Sequence, residues 1–197
     1  MAVTATPPRR RRPEIRPEQI LDAAERVLAG RGLAATTMAA VASEAGLSKG
    51  AVYLYFRSKR DLLSAVRARY LQRFADALGT RGGGGAADEL HQFVLGLFEF
   101  SAAHRELHHA LFHEAGVSEM DTLTTATAAF SALVHRGTAS GTFEVADLDL
   151  TVSFLLHGLH GALLGALHSS VTGVAAVAAD VELLMARALG LRRPATS

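Results

Sequence analysis

The chain has 197 residues, with 20 Lys/Arg against 19 Asp/Glu, 49% hydrophobic residues and no cysteine. That length suits one domain or two small ones, and such a chain buries about 70% of its unfolded surface without metal or disulfide support. The lack of cysteine excludes disulfide scaffolds, thiolate metal sites and cysteine nucleophiles. No apolar run follows the charged first twelve residues, which is not the pattern of a secretory leader. A cytoplasmic protein is expected.

The near-zero net charge hides an asymmetry. Residues 1–75 hold 14 Lys/Arg and 6 Asp/Glu, whereas residues 76–197 hold 6 and 13. All nine histidines, His91 to His168, lie in the acidic part. A basic segment joined to an acidic one suggests a polyanion-binding module, because Lys and Arg bind phosphates with release of counterions. A solvated basic face gives the same charge balance.

Residues 1–13 carry three prolines and the run Arg9 to Arg12, a composition expected to be a disordered basic arm that touches phosphates or the minor groove. Pro17 and Glu18 then mark a helix start. Ile20, Leu21, Ala24, Val27 and Leu28 recur at helical spacing, and Gly30 and Gly32 are expected to end this first helix. Thr37 caps a second helix to about Glu44, and Ser48 caps a third to about Phe56. Ser58 with Asp61 opens a longer helix running to about Leu78. Gly82 to Gly85 reads as a flexible linker. Helices are expected beyond it at 87–103, 105–114, 119–139, 148–168 and 174–189. No segment alternates with period 2, so the fold class is all-α. The stretch Asp149 to Val171 is long and apolar enough to span a bilayer. Its histidines, small residues and missing basic flanks favour instead a helix buried at a subunit interface, with no membrane partner.

Residues Thr37 to Phe56 have the spacing of a helix-turn-helix. Val41, Ala45, Leu47 and Val52 face inward, Ala42 is small where two helices cross, and Gly46 suits a turn at positive φ. The second helix of this motif enters the major groove with its N-terminal residues nearest the base edges. Those residues are Ser48, Lys49, Gly50 and Ala51. Gly50 and Ala51 permit close backbone approach, and Lys49 can donate to a guanine edge or a phosphate. Tyr53 and Tyr55 offer hydroxyls to phosphate, while Thr36, Thr37 and Lys59 stand at helix starts, where backbone N–H groups suit phosphate. Half-buried support for the tyrosines and a merely solvated Lys49 are the plain alternatives.

The segment Thr36-Thr37-Met38-Ala39-Ala40-Val41-Ala42-Ser43-Glu44-Ala45-Gly46-Leu47-Ser48-Lys49-Gly50-Ala51-Val52-Tyr53-Leu54-Tyr55-Phe56-Arg57-Ser58-Lys59-Arg60-Asp61-Leu62-Leu63 strongly resembles the DNA-binding domain of TetR-family (tetracycline-repressor-like) transcriptional regulators. The resemblance covers residues 16 to about 70. It implies a protein of about nine helices, in which three bind DNA, a fourth links the domains and the rest bind a ligand and dimerise. The implied division is a DNA-binding domain at 14–57 and a ligand-binding and dimerisation domain at 58–197, with 58–79 as linking helix. Thr36 or Thr37, Lys49, Gly50, Tyr53, Tyr55 and Lys59 fall on positions that usually touch DNA in the family. Leu54 departs from a position that is often aromatic, and Tyr55 stands where His is common. The helices at 148–168 and 174–189 resemble the family's dimerisation pair.

The second region carries His104 and His108, His109 and His113, and His157 and His160, at spacings that place two imidazoles on one helical face. A metal- or haem-responsive sensor is therefore the alternative reading, although no HExxH motif or dense carboxylate cluster completes a site. An apolar effector pocket between helices is the leading expectation. Its candidate lining is Phe93, Leu97, Phe100, His104, Phe112, Phe130, Phe154 and His157, with plain core packing as the other role for each. The combined expectation is a non-enzymatic homodimeric regulator. It acts as a repressor, binds a pseudo-palindromic double-stranded operator and is released by a small organic effector, with no cofactor or resident metal.

Overall fold

The first helix, α1 (Pro17–Ala35), starts as the sequence suggests, with Pro17 just inside the end and Glu18 in the first turn. Its apolar stripe of Ile20, Ala23, Ala24, Val27 and Leu28 is buried. The end differs from expectation. Helical hydrogen bonding resumes after Gly32, which alone breaks the run at φ 73°, ψ 176°, and a further turn continues to Ala35. Glycine tolerates that left-handed φ because it has no Cβ, so the chain bends there without ending the element.

This computed structural model describes residues 16–79, 84–114, 120–168 and 173–191. The basic arm at 1–13, Gly82 and Gly83, and the side chains of His113 and His168 lie outside the described residues. After α1 come α2 (Met38–Glu44), α3 (Lys49–Tyr53) and α4 (Lys59–Leu78). Then follow α5 (Ala86–Ala103), α6 (Arg105–His108), α7 (Met120–Ala139), α8 (Leu148–His168) and α9 (Val174–Ala188). The described residues contain no strand, and the fold is all-α. Two helices depart from the sequence reading. α3 stops at Tyr53 rather than Phe56, because Phe56 turns back against the core and Ser58 begins α4. The segment expected as one helix at 105–114 is α6 followed by a π-helical turn, His109–Glu114.

α1 packs on α2, α4, α6 and the π-helical turn, so the first helix touches both the N-terminal helices and the bundle beyond α4. Ion pairs reinforce one of these contacts. Arg69 of α4 reaches Asp22 at 2.7 Å and Glu25 at 2.8 Å, and Arg73 also binds Glu25. α4 and α5 approach closely at Gly96, where a Cβ would stand 2.2 Å from the Ala77 carbonyl oxygen. Any side chain there would force the two helices apart. One continuous buried cluster runs from Ile20 in α1 to Leu189 beyond α9.

Candidate nucleic-acid interface and interior cavity

The helix-turn-helix is built from local signals that agree. Thr37 Oγ1 accepts from the Ala40 N–H at 3.1 Å, and Ser48 Oγ accepts from the Ala51 N–H at 3.2 Å. Between these caps, Gly46 sits at φ +68°. The N–H groups of Gly46 and Leu47 donate to the carbonyls of Ser43 and Ala42, at 3.1 and 2.8 Å. That pair of bonds closes α2 in a glycine-terminated cap. Val41, Ala42 and Val52 are buried, and full burial of each valine contributes about 1.5–3 kcal/mol. Leu62 and Val66 of α4 complete the same core. Gln19 Nε2 donates to the Ala45 carbonyl at 2.9 Å and ties the turn to α1.

What this framework leaves outside is α3. Lys49, Gly50, Tyr53 and Tyr55 are exposed, and a Cβ on Gly50 would meet nothing within 4 Å. Tyr53 is 44% and Tyr55 41% exposed, so both rings rest partly on the protein and keep an accessible edge. Leu54 beside them is 83% exposed, an apolar side chain with no place in the core. The Lys49 ammonium lies 5.8 Å from the Tyr53 ring centroid, a cation–π distance that holds both side chains over one patch. Ser48 is exposed and Ala51 half-buried at the start of the same helix.

Two expected DNA contacts are placed differently. Thr36 is fully buried, and its hydroxyl donates to the Gly32 carbonyl at 2.8 Å, which corrects its assignment as a contact residue. The bend at Gly32 turns that hydroxyl inward, leaving Thr37 as the exposed threonine of the pair. The Lys59 ammonium donates to the Leu33 carbonyl at 2.6 Å, so it closes the end of α1 as well as standing at the start of α4. The local charge is also less available than composition implies. Arg26 pairs with Glu44 at 2.8 Å, and Arg69 and Arg73 are spent on Asp22 and Glu25.

The second region holds a cavity of about 240 Å³ bounded by α4, α5, α6, α7 and α8. Tyr70, Phe74, Leu97, Ser101, Arg105, His108, Leu123, Leu159 and His160 are among its lining residues. Of the residues expected from sequence, Leu97 alone reaches it. Phe93 and Phe130 are fully buried against one another, ring centroids 5.1 Å apart. Phe100 and Phe112 pack behind the wall against Tyr70, at 5.2 and 5.6 Å, and His104 stacks on Phe100 at 4.1 Å. Phe154 is 75% exposed and His157 is exposed on the outer face of α8, so both assignments to the lining are corrected. Helical spacing identifies a shared face; it does not say which neighbour covers that face.

The histidine pairs are likewise separated by packing. His157 faces outward, whereas His160 faces the cavity. His104 Nδ1 bonds the Phe100 carbonyl at 2.9 Å, and His108 Nδ1 bonds the Tyr70 hydroxyl at 2.9 Å. Among the described residues, no three of His, Asp and Glu gather as a metal-binding group.

The sequence profile of the family described as "Bacterial regulatory proteins, tetR family" matches residues 20–66. The uncharacterized HTH-type transcriptional regulator YerO of Bacillus subtilis is 46% identical over 54 residues, 27% of this chain and 19% of that relative. The HTH-type transcriptional regulator TtgR of Pseudomonas putida is 46% identical over 48 residues, 24% of this chain and 23% of that relative. The matched stretch thus spans about a fifth of the length of these relatives. Solved structures extend the likeness to the fold. A TetR-like transcriptional regulator from Rhodococcus sp. RHA1 is 27% identical, with TM-score 0.63 over 89% of this chain and 96% of its own. The fatty acid degradation regulator FadR from Bacillus halodurans is 24% identical, with TM-score 0.71 over 92% and 100%. Its helix-turn-helix is thus similar in sequence to that of the tetR family of bacterial regulatory proteins, and its all-helical architecture is similar over most of its length to solved TetR-like regulators.

Proposed function

We propose that the chain is a cytoplasmic transcriptional repressor that binds a pseudo-palindromic operator as a homodimer and leaves it when a small organic effector enters the cavity. The observation that carries this reading is the exposed patch of Lys49, Gly50, Tyr53 and Tyr55 on a buried, doubly capped helix-turn-helix. A short helix presenting one cation and two phenols off a rigid base suits groove and phosphate contact. Residues 14–57 form the DNA-binding unit, 58–79 the link, and 58–197 the unit for effector and partner. No catalytic role is assigned.

Dimerisation is supported by apolar surface on the last two helices. Leu150 and Phe154 of α8 are 66% and 75% exposed, and Leu184 of α9 is 63% exposed. Gly158, Gly161 and Gly165 continue the α8 stripe, with open space at each Cβ position. α8 passes the length and apolarity test for a membrane span, with 33% of that stretch buried. A second copy laid along α8 and α9 covers this surface and sets two recognition helices about a two-fold axis. α4 couples the sites, because Tyr70 and Phe74 line the cavity while Leu62 and Val66 belong to the buried cluster that also holds Val41 and Val52. An effector that lowers the DNA-bound population 100-fold must favour the released state by about 2.7 kcal/mol.

Selection of random duplex DNA by the purified protein at fixed salt tests the reading. Enrichment of one pseudo-palindromic site is expected, and recovery of no preferred sequence overturns it. Sedimentation of Phe154→Glu checks the dimer: a folded monomer is expected, and an unchanged dimer moves the interface elsewhere.

A further inference from the structure

The lining of the cavity is chemically lopsided. Leu123, Leu156, Leu159 and Leu163 of α7 and α8 supply an apolar wall. The polar lining includes Tyr70, Ser101, Arg105, His108 and His160, and among the described residues no Asp or Glu lines it. Three of these groups flank the junction of α5 and α6, where the His104 backbone leaves helical geometry at φ −116°, ψ 20°. Ser101 before the junction and Arg105 and His108 after it all reach the cavity. The Tyr70 hydroxyl joins them through its 2.9 Å bond to His108 Nδ1. Arg105 Nη1 donates to the Leu167 carbonyl at 3.1 Å, which fixes the guanidinium between α6 and the end of α8.

Among the described residues Arg105 makes this end of the cavity positive, and the acid paired with it competes poorly. Glu106 reaches Arg105 Nε at 3.2 Å, but the two side chains are 57% and 65% exposed, and such solvent-screened pairs are weak. A cationic ligand would lose its hydration beside Arg105 with no carboxylate in return among the described lining residues. A carboxylate instead meets a planar fork of N–H donors matched to it in shape and charge. The volume of about 240 Å³ holds roughly eight water-sized units, which sets the size of the apolar body.

We propose that the cavity takes an organic monocarboxylate with an apolar body of medium length, its carboxylate held by Arg105 beside Ser101 and His108. The biological use of this site rests on the regulator reading above; the binding preference rests on the lining alone.

Calorimetric titration of the full-length protein at pH 7 with octanoate, 1-octanol and octylamine, all below micelle-forming concentrations, tests the proposal. Octanoate is expected to bind at least about tenfold more tightly than the alcohol or the amine. Arg105→Gln is expected to bring octanoate down to the affinity of octanol, and Arg105→Lys to restore part of the difference. Octanol affinity should fall far less than octanoate affinity in both variants, and unfolding curves check that the fold is intact. Equal affinity for the three probes, preference for the amine, no octanoate binding, or a preference that survives Arg105→Gln each overturns the proposal. Operator release measured in parallel separates the two readings. Octanoate that binds without releasing DNA removes the regulatory reading and leaves the site, whereas release by other compounds with no octanoate binding does the reverse.

Discussion

The helix-turn-helix and the helical bundle beyond α4 use the same kinds of residue to different ends. In the first region, aromatic and polar side chains near a cap are displayed: Tyr53 and Tyr55 stand outside, and Thr37 and Ser48 both cap and face solvent. In the second, together with the end of α4, the aromatic side chains other than Phe154 are mostly absorbed. Tyr70, Phe74, Phe100 and Phe112 form one contiguous ring cluster, and Phe93 closes on Phe130. The display works because α1 and α4 supply a core that α2 and α3 need only cover with Val41, Ala42 and Val52. On the proposed reading, function in the first region lies on the surface of a small fixed scaffold, while in the second it lies in space left over by packing.

The largest expected effect is on the packed side of this contrast. Phe130→Ala removes a fully buried ring and should cost about 3–5 kcal/mol in urea unfolding. A loss under about 1 kcal/mol would mean that the Phe93–Phe130 contact is not a dense core. On the displayed side, Lys49→Ala and Tyr53→Ala should each weaken operator binding by about 1–3 kcal/mol. Their melting temperatures should hardly move, since neither side chain is buried. Unchanged DNA affinity in both would move the recognition surface away from α3.

Smaller effects sharpen the boundary between scaffold and display. Gly46→Ala places a Cβ at φ +68° and should cost about 1–2 kcal/mol of stability. DNA affinity measured per folded molecule should be retained, because the turn positions α3 without touching the ligand. Thr36→Val should cost about 0.5–1.5 kcal/mol for its lost bond to Gly32 and leave operator binding unaltered. A clear drop in affinity for Thr36→Val would return that residue to the interface.

Legibility in the sequence follows the range of the interaction. Among the described residues every helix but α6 was visible within a few residues of its ends, because caps such as Ser58 and apolar periodicity act over one or two turns. The π-helical turn after α6 was not visible, since nothing in residues 105–114 distinguishes it from a continuing helix. The placement of Thr36 was missed because one glycine dihedral decides whether that hydroxyl turns inward. In the cavity, Arg105, Ser101, His108 and Tyr70 carried no motif, and the pair at 2.9 Å between Tyr70 and His108 joins residues 38 apart.

The amino-acid sequence by itself determined the all-helical class, the helix-turn-helix and the exposed residues of its second helix, though not the placement of Thr36, because those depend on spacing, capping and a turn glycine within some twenty-five residues. The tertiary structure alone decided which arginines are consumed in ion pairs with Asp22, Glu25 and Glu44. It also decided which apolar face of α8 stays open and which aromatic rings line a space rather than fill one. Such outcomes depend on how distant helices cross, and at a crossing a buried ring and a cavity wall are the same residue type in different company.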